Sequence, residues 1–303
     1  MSDRPVVLED LSVRYGKVAA VDRVSLAVEK GAVYALLGRN GAGKSSLVRC
    51  LMGQQKPSAG RALLAGHDAW TARRQAMAVV GFVPEEPDAP PEMTAAAIAR
   101  FCARFHPRWD EAGVSARLAR FRVPAGVPFG RLSKGQKAEV MLALALGARP
   151  PVLILDDPTL GLDVVARREM YEELIGELAD RGSTILLTTH DLEGVERIAS
   201  RVGVMREGRL VLDEELESLK GRFRSLTYRR GKAGAANGEL KELDAAFVRT
   251  HAWGIEALVA RFDEAALERF RLAAEATDLE VKPVSLEAIF TAMVGEGPGR
   301  RPS

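Results

Sequence analysis

The chain of 303 residues holds only two cysteines, Cys50 and Cys102, too few for a disulfide framework. Each sits in an apolar, helix-like setting and reads as a small buried hydrophobe in a reducing compartment. Neither charge sign dominates. Lys+Arg number 43 and Asp+Glu 41, a net charge of +2, so bulk charge does not mark a nucleic-acid or membrane-surface binder. No stretch approaches the roughly 18 apolar residues of a membrane span. Met1 to Glu9 carries two acids, a proline and no long apolar run, which excludes a signal peptide as the reading of that segment. A soluble protein that reaches a membrane only through a partner is expected. Aromatic residues are scarce at 6%, but 47% hydrophobic and 28% charged residues are ordinary globular proportions. The length suggests about two domains, or one with an appendage.

Val6–Val13 and Val24–Val28 alternate as half-buried strands do, with Tyr15 and Gly16 in the turn between them. Val33–Leu37, Val152–Leu155 and Thr184–Thr188 are continuous apolar runs, the pattern of strands buried on both faces. A Gly-rich loop and a helix over Ser45–Leu51 follow the first run, which opens an α/β unit. Four prolines and three acids crowd into Pro84–Pro91, a loop or boundary. The spacing predicts a helix across Thr94–Phe121, a break at Pro124–Gly130 and a helix over Ser133–Gly147 capped by Ser133. Helices are also read over Arg167–Leu178 and Leu192–Ser200, and a hairpin over Arg201–Leu212 turning at Glu207-Gly208. Beyond Lys220 the texture changes. Arg222–Arg230 is basic, and Gly231–Gly238 is a Gly/Ala linker. Ala257–Phe262, Glu264–Ala276, Leu279–Pro283 and Ser285–Met293 read as strand, helix, strand, helix, and Gly295–Ser303 as a disordered tail.

Gly38-Arg39-Asn40-Gly41-Ala42-Gly43-Lys44-Ser45 fits the eight-residue phosphate loop G-x-x-x-x-G-K-S between a buried strand and a helix. Glycines let backbone N–H groups turn inward, and these with the helix N-terminus form an anion nest. Lys44 is placed to reach the β- and γ-phosphates, Ser45 to ligate Mg²⁺, and Ser46 to meet the α-phosphate. The apolar run Val152–Leu155 ends in Asp156, an acid in position to hold the Mg²⁺ shell. Asp157 follows. Neighbouring strand residues face opposite ways, so Asp156 and Asp157 share a role only if the chain turns, as Pro158 suggests. The plainer alternative for Asp157 is turn capping.

Together these residues resemble the nucleotide-binding subunit of ATP-binding cassette (ABC) transporters, from about Val6 to Leu219. Leu132-Ser133-Lys134-Gly135-Gln136 is similar to the family signature L-S-G-G-Q at the head of a helix. Thr188-Thr189-His190 resembles the segment carrying the switch histidine, His190. Tyr15 occupies the place of the aromatic that stacks on adenine, and Gly161-Leu162-Asp163 resembles the loop that crosses the dimer interface. The resemblance implies a P-loop NTPase core, a mixed sheet flanked by helices, with an antiparallel β subdomain and an inserted helical subdomain over about 86–147. The whole ATP-binding domain then spans 1–220, followed by a small α+β accessory domain at 221–294. It implies ATP held by Tyr15, Gly38, Asn40–Ser46, Ser133, Gly135, Gln136 and Asp163, and Mg²⁺ held by Ser45, Glu85 and Asp156. Asp157 and His190 are then the catalytic residues. Implied partners are a second nucleotide-binding subunit and an integral membrane permease, with the chain cytoplasmic on the inner face of the membrane and no nucleic acid bound.

Three positions depart from the family pattern. Asp157 stands where a glutamate usually polarises the attacking water, and its stem is one methylene shorter. A misplacement of about 1 Å can cost roughly 100-fold in rate. Glu85 replaces the usual glutamine, and Lys134 the first signature glycine. Ser285-Leu286-Glu287-Ala288-Ile289-Phe290 resembles the tail of cassettes paired with ABC-2-type permeases, and Phe105-His106-Pro107-Arg108-Trp109-Asp110 a bacterial multidrug or antibiotic export branch. For Phe105 and Trp109 the bland alternative is a helix core pair. Two other functions compete: a hydrolysis-impaired module working beside a second cassette, and a soluble ABC ATPase without a permease.

Overall fold

The computed structural model describes residues 3–229, 240 and 243–294. The chain divides into two compact units, Met1–Asp213 and Glu214–Ser303. Along the first run β1 (Val6–Tyr15), β2 (Val18–Val28), β3 (Val33–Gly38), α1 (Lys44–Leu51), β4 (Ala59–Leu64), β5 (His67–Asp68), α2 (Arg73–Met77) and β6 (Val80–Val83). There follow α3 (Ala95–Ala103), α4 (Glu111–Arg120), α5 (Lys134–Gly147), β7 (Val152–Asp156), α6 (Val164–Arg181), β8 (Thr184–Thr189), α7 (Leu192–Ile198), β9 (Arg201–Arg206) and β10 (Arg209–Glu215).

An antiparallel sheet of order β2-β1-β4-β5 faces a six-stranded sheet of order β10-β9-β3-β8-β7-β6. One core joins them, with Leu8, Val13 and Leu64 from the first, Leu36, Ile154 and Leu186 from the second, and Leu47 and Leu51 from α1. β3, β7 and β8 are buried at every position, which is why they read as unbroken apolar runs. β9, β3, β8, β7 and β6 are mutually parallel. Their carboxyl ends therefore share one edge, with Leu37 opposite Thr189 and Asp156 opposite Thr188. This is the expected mixed-sheet P-loop NTPase fold, with its antiparallel subdomain.

The inserted helices α3, α4 and α5 enclose a small core of Ile98, Val114, Phe129 and Val140. The single helix expected across Thr94–Phe121 is instead two, separated by residues 104–110. Pro107 lacks the N–H a continuous helix needs, and Asp110 starts a new one by accepting the Gly113 N–H at 3.0 Å. Trp109 packs on this core, whereas Phe105 is exposed, so the two are not a helix core pair. Cys50 is buried in α1, which pushes its thiol up to about 11. Cys102 is only half-buried.

The second unit holds α8 (Leu216–Arg222), β11 (Arg224–Arg229), β12 (Ala245–His251), β13 (Gly254–Val259), α9 (Glu264–Ala273), β14 (Thr277–Lys282) and α10 (Leu286–Val294). Its sheet has order β12-β13-β11-β14, all antiparallel. Leu226, Ile255, Ala257 and Val259 form its core with α9, where the Phe270 ring meets Tyr228 edge-on at 5.0 Å. The sequence pattern misses β11, because arginines at its ends hide the alternation of Leu226 and Tyr228, and it also misses β12. The expected linker at 231–238 and tail at 295–303 lie outside the described residues.

Candidate active site

β3 delivers the chain into the glycine loop, and α1 begins at Lys44. Gly41 and Gly43 sit at φ +82° and +104°, where L side chains are strained. A Cβ on Gly43 would also lie 2.2 Å from the Ala20 carbonyl oxygen. No side chain caps the start of α1, which leaves its first N–H groups to an anion. Lys44 is buried, and its Nζ donates to the Gly38 carbonyl at 2.6 Å. Burial lowers the Lys44 pKa, while the charges of Asp157, Asp156 and Glu85 oppose that shift.

Asp156 ends β7 with its side chain buried, and its Oδ1 accepts the Thr188 Oγ1–H at 2.6 Å. Burial raises the Asp156 pKa, and the Asp157 charge adds to this. Asp157 leaves the strand at φ +44°, so the chain does turn between the two acids. Its N–H donates to both the Thr188 carbonyl at 2.9 Å and Thr188 Oγ1 at 3.1 Å. Oδ2 of Asp157 lies 2.8 Å from His190 Nδ1. Oδ1 is buried and has no hydrogen-bond partner. Glu85, just after β6, joins them, its pKa raised by burial and by Asp156 and Asp157. A cleft of about 490 Å³ is lined by Ala20, the loop Asn40–Ser46, Glu85, Asp156, Asp157 and Thr188.

Residues 21–160 match the family described as "ABC transporter". The Nod factor export ATP-binding protein I of Burkholderia pseudomallei (strain 1710b) is 38% identical over 224 residues, covering 70% of this chain and 71% of that protein. The chain belongs to the ABC transporter ATP-binding proteins. Among solved structures, an ATP-binding subunit of an ABC transporter is 28% identical with TM-score 0.64, covering 71% of this chain and 92% of that chain. The cbiO1 protein from Clostridium perfringens, described as part of the ABC transporter complex cbiONQ, is 29% identical with TM-score 0.62, covering 73% and 92%. This ABC cassette is thus a nucleotide-binding ATPase of a transporter, from a family whose members dimerise and associate with membrane permeases. No helix among the described residues is long and apolar enough to cross a membrane.

Not every residue expected to touch nucleotide lines the cleft of this ABC protein. Tyr15 is at its margin, half-exposed, with Oη 3.4 Å from Ser46 Oγ. Ser133 and Gln136 form a capping box on α5: Ser133 Oγ accepts the Gln136 N–H at 3.2 Å, and Gln136 Oε1 accepts the Ser133 N–H at 3.1 Å. Asp163 caps α6 by accepting the Ala166 N–H at 2.9 Å. Ser133, Gly135, Gln136 and Asp163 stand apart from the cleft lining. They lie at the starts of α5 and α6, and the two starts come close, since a Cβ on Gly161 would lie 3.0 Å from the Lys134 stem. Sequence reading assigns no role to Thr188 or Ala20, which the fold brings into the cleft. The available signal for Thr188 is a threonine at the end of a buried strand.

Proposed function

We propose that this ABC cassette drives export through a separate integral membrane permease, hydrolysing ATP with Asp157 as the carboxylate that orients the attacking water. The observation that carries the hydrolytic role is the divided environment of Asp157. One oxygen is held by His190 at 2.8 Å, the other is buried and unpartnered, and the residue itself lines the cleft. An uncompensated buried carboxylate oxygen is costly unless a proton donor meets it. The turn at φ +44° brings the short aspartate stem to the cleft. Export is supported by the similarity to a protein named for Nod factor export.

In this reading Lys44 binds the β- and γ-phosphates, and the N–H groups of the glycine loop bind the rest of the phosphate chain. Tyr15 stacks on adenine. Ser45, Asp156 and Glu85 offer oxygen donors alone, a set that suits Mg²⁺, which keeps several waters and takes one or two carboxylates. When bound, that ion neutralises phosphate charge. His190 fixes the orientation of Asp157. Ser133, Gly135, Gln136 and Asp163 serve the nucleotide of a second cassette. Residues 1–220 then form the ATP-binding domain and 221–294 an accessory domain. The working place is the cytoplasmic face of the membrane, reached through the permease.

The test is phosphate release from Mg-ATP by the parent and by Asp157→Asn. A loss of at least about 100-fold with ATP binding retained is expected, the scale of a general base. Parental turnover in the variant would remove Asp157 from catalysis. ATP binding without turnover in the parent would overturn autonomous hydrolysis.

A further inference from the structure

Thr188 is wholly buried at the end of β8, directly opposite Asp156 in the parallel register. A threonine hydroxyl has one hydrogen to give and lone pairs to accept with. Here the hydrogen goes to Asp156 Oδ1 at 2.6 Å, and a lone pair takes the Asp157 N–H at 3.1 Å. That same N–H reaches the Thr188 carbonyl at 2.9 Å. One residue therefore ties down the side chain of the first acid and the backbone of the second. It does so at the point where the chain adopts φ +44° at Asp157. Just past the strand end stands His190, whose Nδ1 lies 2.8 Å from Oδ2 of the Asp157 carboxylate.

We propose that Thr188 is a positioning residue for magnesium: its hydroxyl orients the Asp156 carboxylate toward the cation and locks the turn that presents Asp157. This rests on reading Asp156 as a magnesium ligand. Groups that hydrogen-bond a metal-ligating carboxylate set its orientation, and their loss costs about 10–100-fold in metal affinity. A threonine that only filled core space would behave differently, because valine would replace it without harm to the metal site.

The experiment compares Thr188→Ser with Thr188→Ala, which differ by the hydroxyl alone, and adds the isosteric Thr188→Val. ATP affinity is measured in EDTA and across a Mg²⁺ titration, together with the Mg²⁺ concentration that half-saturates phosphate release. Alanine and valine are expected to raise the Mg²⁺ requirement about tenfold, with ATP affinity in EDTA unchanged. Serine is expected to stay within about twofold of the parent. If valine does not fold, the serine and alanine pair decides. A parental Mg²⁺ requirement in the alanine variant would overturn the proposal. So would equal loss in serine and alanine, or an equal fall of ATP affinity with and without Mg²⁺. Asp156→Asn separates the two levels. If that variant keeps the parental Mg²⁺ dependence, the reading of Asp156 itself fails. If it loses that dependence while Thr188→Ala does not, only the role of Thr188 fails.

Discussion

Gly43 answers two demands at once, a backbone at φ +104° and an Ala20 carbonyl that leaves no room for a Cβ. Alanine there must either move the hairpin strand that carries Ala20 or distort the start of α1. Gly43→Ala is expected to lose about 2 kcal/mol or more of stability and most ATP affinity. Thermal unfolding and nucleotide titration check this, and a variant with parental affinity would refute it. At this scale much of the site was legible: the glycine spacing, Lys44, Ser45 and the acid at the end of an apolar run need only neighbours along the chain. The turn at Asp157 was legible through Pro158. The partnering of Asp157 with His190 was not, because 33 residues separate them and only the pairing of β7 with β8 closes that gap.

The helix α5 joins the signature to the body of the first unit, and its Glu139 is buried. Val83, Leu142, Pro158, Leu162 and Met170 lie around it. Burial, then the charges of Glu169 and Asp163, pushes its pKa up to about 7. Between the ordinary carboxylate range and about 7 the folded chain keeps a proton that the unfolded chain has released. The contribution of Glu139 to stability therefore falls as pH rises through that window and levels off above it. Glu139→Gln cannot pay this penalty, so its stability relative to the parent should improve by about 2 kcal/mol between pH 5 and pH 8. Urea unfolding at both pH values measures it, and a constant difference would contradict the argument. Element types were readable wherever one face or both faces are apolar, as in β3, β7 and β8. The split of Thr94–Phe121 was less so, because helical spacing continues through Pro107 while the N-cap at Asp110 competes locally.

In one copy of the chain the signature residues Ser133, Gly135 and Gln136 do not line the phosphate cleft. They head a helix whose start is exposed, as an anion cap from a second molecule requires. ATP that makes contacts only in the joined state shifts the chain toward that state. Asp157→Asn with ATP is expected to form a dimer by size-exclusion chromatography with light scattering, and adding Ser133→Arg should return it to monomer. A dimer that ignores both ATP and Ser133→Arg would show that the signature does not cap nucleotide. The second unit has a core of its own, centred on Leu226, Tyr228 and Phe270, built separately from the cassette.

The order of residues along the chain by itself determined the phosphate loop, the strands buried on both faces, the Ser133 cap of α5 and membership of an α/β nucleotide-binding class. Each of these depends on spacing over a few residues, where backbone sterics and hydrophobic period leave few choices. Tertiary structure alone decided that Glu85, Asp156, Asp157 and Thr188 meet in one cleft, and that Asp157 keeps one oxygen for His190 and one without a partner. The physical reason is that parallel strands bring their ends together only after the crossover helices have packed, and no local pattern encodes which strand lies next to which.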